Sequence, residues 1–526
     1  MMNKITISIF AVTTLLSILL YLPYLDTLRL WHEEPRRALI SEAMLESGDF
    51  IVPRYREEVY VAKPPLFNWL VIGVSQVFGE INELSLRFTS LLCLILLIGL
   101  MLSLHQQWLG TTGLVFLSLA LALSPEFMSK ATLGEIDMCF TLLVSASLWL
   151  WFSLDQKQAR GFNLWLAPGL LIALAFLTKR EPAFLFYYVG IGTYLLYRKR
   201  LIELFLPAHL ICASITLAIV GAWVWFMVQS VGLEVLLGST VNEVVNRGIV
   251  GSWATTLKHI ISYPFEVTLA VFPFSLMLLL FFHRESRAIA FERYGDVLVF
   301  AGITVIANFL VYWFIAQSAV RYFLPMLPSV LVVCAVLFEV AEQTAPRWLR
   351  VLGSIVASLT LLAAIALNVF LFQANFGFGP TPPDLLPHNL AVALSLASVL
   401  LGLWLLWFNI NGKTKHLLLA FCGLMLVYRI IYIDAVLPRK VAQFEQERDI
   451  AGFVAKIYHL VPARQLPINA TGTVPHEIWW AMEYGDITTK PSVYQLTDTP
   501  PTDGHRILAN MNFRGRDISL VLLHEH

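Results

Sequence analysis

Two carboxylates followed at once by two guanidinium groups, in His32-Glu33-Glu34-Pro35-Arg36-Arg37, stand out in a 526-residue chain of which only 14% is charged. Proline suits the first turn of a helix, where its missing N–H costs nothing. A helix beginning here would set Glu33 and Glu34 at its N-terminus. The macrodipole keeps carboxylates ionised there, ready to take a proton from an attacking nucleophile. The same residues also suit a capped interfacial helix whose charges only form surface ion pairs. Further on, Pro64 and Pro65 fix the backbone beside Lys63, and Leu66, Phe67, Asn68 and Trp69 follow. A lysine held rigidly at a bilayer surface can grip a lipid-linked phosphate, or simply snorkel to the interface.

These groups need a scaffold, and the composition says which. A hydrophobic content of 58%, a mean hydropathy of +0.71 and a formal net charge of 0 describe a polytopic membrane protein and exclude an ordinary soluble domain. After Lys4 an apolar run extends to about Leu25 with no small-residue cleavage site, which reads as an uncleaved anchor starting in the cytoplasm. Further apolar segments recur near 85–104, 112–125, 137–153, 162–178, 183–197, 205–228, 265–282, 297–315, 322–341, 351–372, 390–409 and 417–434, giving about thirteen spans with the anchor. Counted from a cytoplasmic start, the basic loops Lys157–Arg160, Arg198–Arg200, His283–Arg293, Arg347–Arg350 and Lys413–Lys415 all fall inside, as the positive-inside rule asks. Residues 26–84 then form a charged loop outside.

The same topology gives meaning to polar groups at outer span ends. Glu135 and Asp137 fall where the fourth span begins. A charge in a span costs at least ~2.5 kcal/mol on insertion scales, so they are functional candidates unless both sit in interfacial water. Lys179-Arg180-Glu181-Pro182 is an outer turn that runs against the positive-inside preference, as if something negative outside attracted it. The division expected is 1–434 for the membrane domain and 435–526 for a small outer α/β domain. Ile450, Phe453, Val454, Ile457 and Tyr458 lie there at helical spacing, and Asp517 to Leu523 reads as a strand. The five cysteines lie in or beside apolar spans and read as buried small hydrophobes. No internal repeat, zinc spacing, Walker loop or Rossmann fingerprint is present, which argues against an ATP-driven pump, a nucleotide-handling domain and a nucleic-acid partner.

The run Glu33-Glu34-Pro35-Arg36-Arg37-Ala38-Leu39-Ile40, continuing through Met44-Leu45-Glu46-Ser47-Gly48-Asp49, and the later Ala62-Lys63-Pro64-Pro65-Leu66 resemble the bacterial aminoarabinose transferase and protein O-mannosyltransferase group. These are integral-membrane glycosyltransferases of the GT-C fold, whose pattern is Asp-Glu-x-Arg-Tyr-Ala, then Met-Leu-x-x-Gly-Asp-Trp, then Glu-Lys-Pro-Pro-Leu. Thr178-Lys179-Arg180-Glu181-Pro182 is similar to the group's Thr-Lys-Gly-Pro, with the glycine replaced and a residue added. Ser318 through Pro328 is similar to its Ser-x-x-x-Arg/Lys-Tyr-x-Leu-Pro-x-x-Pro. The resemblance implies an all-α GT-C membrane protein with Arg321 and Tyr322 as ligands of a donor phosphate. Forked guanidinium donors and a phenol fit that role chemically, although without the resemblance the pair is equally an interfacial anchor.

Departures from the pattern are informative. Glu33 stands where the group has its catalytic aspartate, displacing the carboxylate by about one methylene. Ala62 replaces the glutamate before Lys-Pro-Pro, and Ser262-Tyr263-Pro264 stands where relatives often have His-Pro. Two groups able to hold a divalent metal in the aminoarabinose branch are therefore missing, and neither a metal nor another cofactor is expected. The resulting expectation is a transferase in a bacterial inner membrane that uses a polyprenyl-phosphate sugar donor and a lipid or protein acceptor on the outer face, where nucleotide sugars are not expected. Glu33, with Glu34 or Asp137 as partner, would serve as base. Arg36, Lys63, Lys179, Arg321 and Tyr322 would hold the donor phosphate. The alternatives are a non-catalytic assembly subunit and a lipid or solute transporter, the latter without the matching halves such folds show.

Overall fold

The computed structural model describes residues 2–30, 32–55, 58–238, 253–315, 318–375, 388–411, 416–432 and 436, and in the tail 450–463, 466–470, 474–482, 487–488, 490–498, 506–513 and 516–523. Helix α1 (Lys4–Tyr21) begins where the Asn3 side chain accepts from the Thr6 amide at 2.9 Å, satisfying one of the donors that a helix start leaves unpaired. Helix α2 (Glu34–Ser47) has Pro35 in its first turn, as expected, and ends at Gly48, whose φ of 69° is the left-handed stop that favours glycine. Strands β1 (Arg54–Tyr55) and β2 (Glu58–Val59) pair antiparallel, and α3 (Leu66–Phe78) starts behind Pro64 and Pro65. Buried Asn68 donates to the Arg37 carbonyl and to Ser41 Oγ, both at 2.9 Å, so α3 is pinned to α2.

The membrane bundle follows with α4 (Glu83–His105), α5 (Thr111–Leu123), α6 (Pro125–Ala131), α7 (Asp137–Gln156), α8 (Phe162–Lys179), α9 (Pro182–Tyr197) and α10 (Pro207–Val231). Later helices cover Trp253–Ala270, Arg284–Trp313, Leu327–Thr344, Pro346–Asn375, His388–Asn411 and His416–Ile431. Among the described residues, eight helices are long and apolar enough to cross a membrane, or up to ten if each of two bent pairs is one span. The shorter apolar helices Pro182–Tyr197, Leu396–Phe408 and Leu417–Ile431 fall on the other expected segments. Two of the expected spans are not straight. The chain bends by 55° between α5 and α6, ahead of Pro125, and by 113° between Thr255–Ala270 and Phe274–Phe282, around Pro273. A proline cannot donate the hydrogen bond that would carry the helix on. All five cysteines are unpaired, four of them buried and Cys422 partly so.

In the tail, five strands run in the order β4-β3-β5-β7-β6. β3 (Ile468–Ala470) lies parallel to β4 (Ile487–Thr488) and β5 (Tyr494–Thr497), and β7 (Arg516–Leu522) lies antiparallel to β5 and β6 (Arg506–Phe513). The helix Ile450–Leu460 buries the apolar face expected of it against this sheet, in a core separate from that of the bundle. The expected domain boundary after residue 434 lies outside the described residues. The tail touches the charged loop directly: helix His476–Ala481 packs on α2, and Leu39 of α2 lies against the tail's core. The helix that carries the first carboxylates is thus held by α3 on one side and by the tail on another.

Candidate active site

A cavity of about 240 Å³ opens between the charged loop and one end of the bundle. One wall comes from the loop: Glu33, Arg36 and Arg37 at the start of α2, with Tyr60, Ala62 and Lys63 after β2. The other comes from the bundle: Glu135, Ile136 and Asp137 at the start of α7, Lys179 in the last turn of α8, and Arg321 with Tyr322 on the short helix Val320–Phe323. Seven of the eight residues expected to act therefore meet in one place, although they come from four distant parts of the chain.

Glu34 is the exception among them. It is fully buried and does not line the cavity. Its two oxygens accept from Arg87 Nε and Nη2, both at 2.8 Å, and Oε1 also accepts from the Gly134 amide at 2.7 Å. Arg87 completes its fork on the carbonyls of Leu25, Leu28 and Arg29, so all five of its N–H groups find acceptors. This pair fastens the chain before α2, α2 itself and the turn before α7 to α4. A side chain at 134 would collide with Leu86, so glycine is what lets that amide reach Glu34.

Glu33, by contrast, is accessible, with 42% of its side chain exposed. Arg36 Nη1 donates to both of its oxygens, at 2.7 and 3.0 Å, and Arg37 Nη2 stands 3.7 Å away. Arg36 lies near two aromatic faces, 5.5 Å from the Tyr55 centroid and 5.8 Å from that of Tyr60. Burial is the strongest single influence and works against its charge, but Glu33, Tyr60 and Tyr55 together outweigh it, so its pKa stands above the ordinary arginine value. Arg37 donates to the Tyr60 hydroxyl at 3.1 Å.

On the bundle wall the acids are matched by bases. Asp137 accepts from Lys179 at 2.5 Å, and Glu135 accepts from Lys130 at 2.7 Å. Lys130 also stands 3.9 Å from Asp137. Asp137 therefore orients Lys179, which lies 5.3 Å from the Tyr322 ring, and does not stand ready as a second free carboxylate. The turn after α8 is held by chain contacts: Arg180 donates to the Val61 carbonyl at 3.1 Å and pairs with Glu181. Its unexpected positive charge thus ties the bundle to the loop.

Arg37, Tyr60, Lys130 and Arg87 are the functional or supporting residues that sequence reasoning missed. Arg87 and Lys130 had a usable signal, since a cation near the end of an apolar helix needs an explanation. For a metal, Ala62 presents only a methyl group to the cavity. Tyr263 is fully buried on Phe309, 5.6 Å away, and does not line the cavity, and no cluster of three or more His, Cys, Asp or Glu suited to a metal is present among the described residues. The residues at those two places do not fit a metal.

Residues 62–226 match the family model described as dolichyl-phosphate-mannose-protein mannosyltransferase. A protein of Aquifex aeolicus is 26% identical over 83% of this chain and 79% of its own length. The undecaprenyl phosphate-alpha-4-amino-4-deoxy-L-arabinose arabinosyl transferases of Shewanella sediminis and Pseudomonas aeruginosa are 30% and 31% identical, and the matched part spans 38% of either protein. ArnT from Cupriavidus metallidurans, in a crystal structure bound to undecaprenyl phosphate, superposes with a TM-score of 0.70 at 17% identity over 97% of both chains. At that identity the likeness establishes the fold: this chain has the GT-C architecture that its loop motifs resemble.

Proposed function

We propose that this multi-pass membrane protein is a GT-C glycosyltransferase that moves a hexose or pentose from a polyprenyl-phosphate carrier to a lipid or protein acceptor at the periplasmic face of a bacterial inner membrane. One observation carries the reading: a single cavity faces an accessible carboxylate, Glu33, with cations from three separate segments, Lys63, Lys179 and Arg321. The matched family model and the ArnT-like fold support it.

In this reading the acceptor's hydroxyl oxygen attacks the anomeric carbon of the sugar. The bond from that carbon to the carrier's phosphate oxygen breaks, and its electron pair leaves with the phosphate. Glu33 takes the acceptor's proton. It sits at the N-terminus of α2 and lines the cavity, and a carboxylate with two oxygens has acceptor sites left after binding Arg36. Lys63, Lys179, Arg321 and Tyr322 stabilise charge on the departing phosphate, and Arg36 fixes the base while adding to that field. The cavity's place at the ends of the bundle lets the lipid tail remain in the bilayer while its headgroup reacts.

The test is transfer by the purified protein. Given a radiolabelled polyprenyl-phosphate sugar and a membrane extract as acceptor source, it should release polyprenyl phosphate and label an acceptor. Recovery of intact donor under conditions where the protein binds it would contradict the reading.

The five basic loops support an orientation with the N-terminus in the cytoplasm and the tail outside. A cysteine introduced at Ser492, in the tail, should react with a membrane-impermeant maleimide in intact spheroplasts. The native thiols are buried or partly buried in the bundle and give little background. Labelling that appears only after lysis would reverse the topology.

A further inference from the structure

The two walls of the cavity differ in charge. On the bundle wall Glu135 and Asp137 each have a lysine partner, Lys130 and Lys179. Among the described residues of the loop wall, Arg36 and Arg37 stand beside the carboxylate of Glu33, which is held chiefly by Arg36. Arg37 is the most enclosed of these cations, with 3% of its side chain exposed. Its Nη2 donates to Tyr60, its carbonyl is pinned by Asn68, and its guanidinium lies 5.3 Å from the Tyr60 centroid. Its Nη1 is buried and has no hydrogen-bond partner among the described residues. A buried donor left unmatched is costly, the more so on a charged group, and an anion entering the cavity would satisfy it.

We infer that Arg37 is a principal ligand of the carrier's phosphate, an inference that rests on the glycosyltransferase reading. Nη1 donates to a phosphate oxygen while Tyr60 holds Nη2, so one half of the fork is anchored and the other is presented. The phosphate then sits beside Lys63 on the loop wall, with Lys179, Arg321 and Tyr322 facing it across the cavity. The sugar, extending from it, meets Glu135 and Asp137 on the bundle wall, whose carboxylates can accept from its hydroxyls. The sequence pattern that the loop resembles has tyrosine at this position, so this contact would be particular to chains carrying arginine here.

The experiment compares the binding of a polyprenyl phosphate with that of the uncharged polyprenol of equal length, both in matched micelles, to the full chain. Wild type should favour the phosphate, and Arg37→Tyr should reduce that preference by roughly ten- to a hundred-fold while leaving polyprenol affinity unchanged. Unchanged polyprenol affinity also shows that the variant is folded. Arg37→Lys, which keeps charge without the fork, should recover only part of the preference, and it carries the test if Arg37→Tyr does not fold. A wild-type preference retained in either variant overturns the role of Arg37 and leaves the glycosyltransferase reading standing. A wild type that binds both lipids equally overturns the carrier reading itself.

Discussion

Glu33→Gln should lower turnover by roughly 10²–10⁴-fold while changing donor affinity little, the range expected when a positioned base loses its ability to take a proton. Glutamine keeps the length of the side chain and one oxygen for Arg36, so the geometry of α2 is largely kept. Initial rates over a range of donor concentrations would separate kcat from KM. Lys63→Ala supplies the contrast. Losing a contact to a charged group commonly costs about 1.5–3 kcal/mol, so donor binding should weaken roughly ten- to a hundred-fold, with part of the loss reappearing in the transition state. Glu33→Asp should also reduce turnover, because the carboxylate would withdraw by a methylene from a pocket arranged around Arg36 and Arg37. Full turnover in Glu33→Gln would refute the assignment of the base.

Glu34→Ala should fail for a different reason, by destabilising the fold by about 3–5 kcal/mol. The substitution strips Arg87 of the carboxylate that neutralises it, at a position where only 3% of the arginine side chain is exposed. It also leaves the Gly134 amide without its acceptor. Adding Arg87→Met should not restore full stability, since Arg87 also serves the carbonyls of Leu25, Leu28 and Arg29, which would then be buried without donors. The readout is the unfolding midpoint in detergent beside residual turnover. A Glu34→Ala protein with wild-type stability and abolished turnover would return Glu34 to the chemistry.

The confusion between Glu33 and Glu34 shows where sequence reading stops. Neighbours on a helix point about 100° apart, so one can face a cavity while the other faces the core, and spacing alone does not say which. The same ambiguity hid Arg37 beside Arg36. What was legible was set locally. Runs of apolar residues near membrane length gave the helices, Pro35 and Gly48 bounded α2, and the spacing of Ile450, Phe453, Val454 and Ile457 gave the tail's helix. Partners distant in the chain were not legible. Nothing near Glu34 points to Arg87, 53 residues on. Nor does anything near Asp137 say that its carboxylate is committed to Lys179. The bends at Pro125 and Pro273 had a local signal in the prolines themselves, but hydropathy averages over it. The mixed order of the tail's strands depends on pairing across the sheet, to which alternation within one strand is blind.

The central claim is that the carrier's phosphate and the base meet in this cavity, and a cryo-EM map of the protein with a non-transferable polyprenyl-phosphate sugar tests it most directly. The account predicts phosphate density within hydrogen-bonding distance of Arg37 and Lys63, with the sugar's anomeric carbon between that phosphate and the Glu33 carboxylate. Phosphate density outside the cavity, or a sugar turned so that Glu33 cannot reach an attacking hydroxyl, would contradict it.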